Sequence, residues 1–121
     1  MIVIKGRVIA ESAAVLLARI QDANGSAITN ATVNSINVKV FDMDENTLAA
    51  TLDSNTVTVY DALQLDGRWT QDAIGFNLAI NVPGSAWTTA GPYRVEAKII
   101  PTAGDSFFIL WDLQATEVFS T

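Results

Sequence analysis

Along much of the chain, apolar and polar residues alternate one for one. In "SINVKVFD", Ile36, Val38 and Val40 share one face while Asn37 and Lys39 share the other. "GFNLAINV" sets Phe76, Leu78, Ile80 and Val82 against Asn77, Ala79 and Asn81. "YRVEAKI" sets Tyr93, Val95, Ala97 and Ile99 against Arg94, Glu96 and Lys98. "FFILWDLQA" sets Phe107, Ile109, Trp111 and Leu113 against Phe108, Leu110, Asp112 and Gln114. A period of two marks strands with one face on a core and the other toward water. The enrichment in β-branched and aromatic residues points the same way. The pattern predicts strands over 2–9, 14–21, 35–42, 47–52, 56–60, 74–82, 92–100 and 106–118.

Turn chemistry separates these runs. "QDANGSA" carries Asn24-Gly25, which suits a tight turn. "FDMDENT" is an acidic connection, "VPGSAW" holds Pro83-Gly84, and "IPTAGDS" makes a hairpin loop between the last two long strands. "YDALQLDGRW" predicts a helical turn or a 3₁₀ connection, with Asp61 as N-cap and Gly67 at its end. Seven or eight antiparallel strands in one domain spanning 1–121 fit an immunoglobulin-like β-sandwich, with a jelly roll or small barrel as the alternative.

Composition narrows the chemistry. Half the residues are hydrophobic and 17% are charged, which excludes a disordered chain. No apolar run approaches the ~20 residues of a membrane helix. The start, "MIVIKGRVIAES", lacks the long apolar core of a signal peptide, so synthesis and folding in a cytosol are expected. Met1 argues against a leader removed upstream. There is no cysteine and no histidine. That removes disulfides, thiolate chemistry, the commonest general base and the commonest zinc ligand. A net charge of −6 disfavours nucleic acid as a partner. The seven glycines are scattered, so no phosphate-cradling loop exists and no cofactor is expected.

Gly91-x-Tyr93-x-Val95 resembles the start of strand F in immunoglobulin-like domains. There a tyrosine two residues before the inter-sheet cysteine caps backbone at a corner of the sandwich. Val95 stands at the cysteine position. The resemblance implies that Tyr93 opens a core strand and does not line a ligand groove. "IQDANGSAIT" looks like the B-strand and turn of small bacterial and viral immunoglobulin-like modules. The layout of "LDGRWTQDAIGFNLAINVPGSAWTTAGPYRVEAKIIPTAGDSFFILWDL" is similar to small β-sandwich structural proteins of tailed bacteriophages. Those serve as capsid cement, neck or tail accessory modules. The resemblance spans most of 13–113 as an arrangement of strands and turns, without an invariant chemical motif. It implies self-association and docking to other virion proteins.

Few residues suggest a chemical site. Asp42, Asp44 and Asn46 fall at positions one, three and five of a calcium loop, but Thr47 and Asp53 stand where such a loop needs Gly and Glu. A solvated acidic connection is the simpler reading. Asp61, Asp66 and Asp72 flank Trp69, the layout of a sugar platform with acids, and equally of ordinary acidic turns. Without histidine no Ser-His-Asp triad exists.

The aromatic residues say more about contacts. Trp111 is in phase with core positions. Trp69 and Trp87 lie in turn-rich stretches, where a tryptophan either plugs one end of the sandwich, the commoner outcome, or stays exposed as an anchor. Phe108 and Leu110 make strand 106–118 apolar on both faces, which calls for cover by the N-terminal strand or by a second subunit. Phe119 is a further candidate contact.

These readings give an expectation of a non-enzymatic virion structural protein. Specifically, we expect a capsid cement or decoration protein that buries apolar surface between subunits and steadies a shell against internal pressure. The expected partners are the major capsid protein or other virion proteins and further copies of the chain, in a homo-oligomer such as a trimer. Residues 1–9 and 114–121, or the strands 47–52 and 56–60, would add to a neighbour's sheet edge. A neck or tail accessory role is the near alternative. The alternative of another class is a carbohydrate-binding module, in which Trp69 and Trp87 are exposed and coplanar beside Asp66, Arg68 and Asp72.

Overall fold

The computed structural model describes residues 2–118, so Phe119 lies outside the described residues. The strands are β1 (Ile2–Ile9), β2 (Ala14–Ala18), β3 (Val33–Asp42), β4 (Thr47–Leu52), β5 (Val57–Gln64), β6 (Phe76–Val82), β7 (Gly91–Pro101) and β8 (Phe107–Thr116). Short 3₁₀ turns occupy Ser54–Thr56 and Gly84–Ala86. One sheet has the order β1-β8-β7-β3-β4 and the other β2-β6-β5. Chain order thus alternates between sheets in the manner of a variable-type immunoglobulin sandwich, with its B-E-D sheet packed on G-F-C-C′. The fold is an immunoglobulin-like β-sandwich. The sheets stay separate, which disposes of the closed barrel, and their five-and-three division in this strand order is that of the immunoglobulin sandwich and not of a jelly roll.

The core follows from the alternation. Val38 and Val40 of β3, Leu78 and Ile80 of β6, Val95, Ala97 and Ile99 of β7, and Ile109 and Trp111 of β8 form one buried cluster. Tyr93 is buried at the start of β7, and its hydroxyl donates to the Thr89 carbonyl at 3.1 Å. That is the corner bond expected of a tyrosine at the start of strand F. Val95, fully buried, fills the cysteine position with aliphatic bulk.

Three expectations need correction. The first concerns strand direction: β1 runs parallel to β8, with Val3 beside Leu110 and Lys5 beside Asp112, while every other strand pair is antiparallel. The first strand is therefore paired within its own chain on one side and forms an edge of the five-stranded sheet.

The second concerns the helical turn at Asp61. β5 instead continues to Gln64 through an irregularity between Val59 and Gln64. Asp61 caps across the chain, accepting the Asn30 N–H at 2.9 Å, while the Asn30 side-chain amide donates to the Val59 carbonyl at 2.8 Å. A long-range partner took the carboxylate that a local N-cap would have used.

The third concerns Asn77, read as water-facing but only 1% exposed. The chain following β2 folds over it. Its Oδ1 accepts the Ile20 N–H at 2.7 Å, and its Nδ2 donates to the Ile20 and Ile28 carbonyls, each at 3.0 Å. One amide thus satisfies three buried backbone groups and ties the β2–β3 connection to β6.

Candidate functional site

The outer face of the five-stranded sheet is a regular grid set by the strand registers. One row runs Lys5, Asp112, Arg94, Phe41, Leu48 across the five strands. The next runs Val3, Leu110, Glu96, Lys39, Thr51. Phe108, Lys98 and Asn37 form a third row, and Arg7 stands beside Gln114. Five of the seven basic residues of the chain therefore sit on this one face, including all three lysines. Only Glu96 and Asp112 offset them there. The face carries a formal +3 on a chain of −6, so the rest of the molecule carries −9.

Ion pairing sharpens the contrast. Arg94 donates to Asp112 at 2.9 Å, which raises the Arg94 pKa through hydrogen bonding to the carboxylate. Off the face, Arg19 is paired with Asp72 and Arg68 with Asp66. Among the described residues, the cations without an ion-pair partner are Lys5, Arg7, Lys39 and Lys98, and all four lie on the face.

Apolar groups stand among these charges. Phe108 is 42% exposed with the Lys98 ammonium 6.0 Å from its ring centre, and Val3, Ile9 and Leu48 are also exposed. A shallow depression of about 500 Å³ lies between Asn37, Lys39, Phe41, Thr51, Lys98 and Phe108.

The remaining candidates are buried or committed to contacts within the chain. Trp87 is fully buried, with its indole N–H donating to the Ser12 carbonyl at 2.8 Å and its ring 6.2 Å from that of Tyr93. It plugs the end of the sandwich where the β1–β2 and β6–β7 connections meet, which removes it as an exposed anchor. Leu110 is 8% exposed, because β8 is an interior strand and Val3 and Glu96 flank Leu110 in register. The N-terminal strand supplies part of the cover that its sequence position called for.

Trp69 is half-buried in the β5–β6 loop. Its indole N–H donates to Asp72 at 2.9 Å, and its ring lies 5.8 Å from that of Phe76. Asp72 also accepts from Ile74 N–H, Arg19 and Gly75 N–H. These bonds, the one from Trp69 foremost, hold its pKa well below the ordinary carboxylate range. Asp66 is lowered likewise, chiefly by the Arg68 side chain. Arg68 in turn lies 5.5 Å from the centre of the Phe76 ring. This loop spends its acids on its own architecture. With Trp87 enclosed, the coplanar tryptophan pair of a sugar platform does not form.

The acidic β3–β4 turn behaves similarly at its base. Asp42 Oδ1 accepts the N–H groups of Asp44 and Glu45 at 3.0 and 3.3 Å. Among the described residues, no three acidic side chains converge as a metal-binding group. Met43, Asp44 and Glu45 are exposed, with the Asp44 carboxylate lying beside Gly91.

Comparison with protein-family models and with curated proteins returned no match. Among solved structures, the chain is similar to the Ig1 domain of mouse SynCAM 2 at 12% identity and a TM-score of 0.36, covering 94% of this chain and 93% of that one.

Proposed function

We propose that this chain is a non-enzymatic virion structural protein of the capsid cement or decoration kind, working through protein–protein contact. The docking role is carried by one observation: the outer face of the five-stranded sheet combines unpaired cations with exposed Phe108, Val3, Ile9 and Leu48. Five strands spaced by about 4.8 Å and about 30 Å long offer on the order of 700 Å². That is close to the ~800 Å² each partner buries in a standard interface. The virion assignment draws on the layout similarity to phage β-sandwich proteins. Its partners under this reading are the major capsid protein or other virion proteins, together with further copies of the chain.

The face suits a protein partner better than a polyanion. Glu96 and Asp112 are interleaved with the cations, and the chain as a whole is acidic, so a uniform polyanion meets repulsion both in contact and on approach. A neck or tail adaptor would use the same face. Mass spectrometry of purified particles from the source that encodes the chain, followed by antibody labelling in the electron microscope, tests the proposal. Label spread over the head is the expected result. Label confined to the neck or tail would move the protein there, and absence from particles would overturn the virion reading.

A further inference from the structure

We infer that the basic outer face receives the acidic β3–β4 turn of a second copy of this chain, giving a head-to-tail contact. Both halves of the contact are present in one molecule. The receiving half is the depression between Lys39, Lys98, Phe41 and Phe108, whose two cations have no ion-pair partner and outnumber its one acid, Glu96. The inserting half is the hairpin turn that joins β3 to β4, where Met43, Asp44 and Glu45 are all exposed, the Asp44 carboxylate lying beside Gly91. Charge opposes charge, a convex turn meets a concave face, and the Met43 thioether is of a size and softness to rest on the Phe108 ring.

Charge also decides the symmetry. Two copies meeting face to face would set +3 against +3, so a two-fold dimer through this face is disfavoured. A contact between unlike patches closes into a ring, of which a trimer is one, or continues as a filament. At physiological salt the Debye length of about 8 Å confines electrostatics to the contact itself, so local complementarity outweighs the overall repulsion between acidic molecules.

The inference rests on reading the chain as an assembly protein, yet the two fail separately: a chain that stays monomeric overturns self-docking alone, whereas presence in particles is measured independently. The experiment is analytical ultracentrifugation of the purified chain from micromolar to millimolar concentration, at physiological and at molar salt. Three samples follow in parallel: Lys39→Glu/Lys98→Glu, Asp44→Lys/Glu45→Lys, and an equimolar mixture of the two. Thermal melts confirm that each variant is folded.

The wild-type mass is expected to rise with concentration and to return to monomer in molar salt. Each double variant should weaken association about tenfold or more, and mixing them should restore it, because the reversed face then meets the reversed turn. A wild-type chain that is monomeric throughout overturns the inference. So does association that survives either double substitution, or that the mixture fails to restore.

Discussion

Asn77 shows how much one polar side chain can carry. Replacing it with Ala leaves the Ile20 N–H and the Ile28 carbonyl buried without partners, while the Ile20 carbonyl keeps the Ile28 N–H. At about 1 kcal/mol or more for each unsatisfied group, Asn77→Ala should destabilise the fold by about 2 kcal/mol, measured by urea unfolding. Tyr93→Phe removes the hydroxyl's bonds to the Thr89 carbonyl and Oγ1 and should lose about 1 kcal/mol in the same measurement. Asp72 makes a statement about pH. Its pKa lies below its unfolded value of about 3.9, so its contribution is complete above that value and is lost as pH falls toward the folded pKa. Thermal melts should show wild-type stability dropping below about pH 4, with Asp72→Asn less stable at neutral pH and the gap closing on acidification. An equal gap at every pH would assign the role of Asp72 to packing.

At the scale of elements, the long strands were legible because each has one wet and one dry face, so period-two alternation survives in β3, β7 and β8. What could not be read were features made by partners distant in sequence. Asn77 alternates like a surface residue, yet the connection from Ile20 to Ile28 covers it. Leu110 likewise owes its burial to β1, which arrives parallel from the far end of the chain. The irregular part of β5 resembles a helical turn in sequence because Asp61 and Gly67 mimic local caps, while Asn30 supplies the actual partner. The basic face is present in the sequence as Lys5, Arg7, Lys39, Arg94 and Lys98, scattered between positions 5 and 98. Only the registers bring them together. Gly75 marks the other end of the β5 irregularity. With φ at +111° and the Gln64 carbonyl against it, a Cβ has no room. Gly75→Ala should lose about 2 kcal/mol of unfolding free energy and weaken the β5–β6 pairing, seen as faster amide exchange there.

The whole molecule divides into a basic, partly apolar face and an acidic remainder, and docking through that face is the centre of the functional reading. Phe108→Ala should barely alter the melting temperature, since Phe108 is half in water, while weakening association several-fold. The most direct measurement uses the fact that all three lysines, Lys5, Lys39 and Lys98, stand on the face. Lysine acetylation read by mass spectrometry compares the chain in purified particles with the free chain. Protection of Lys39 and Lys98 in particles, with both reactive in the free protein, is the predicted result. Equal reactivity in the two states would contradict docking through this face.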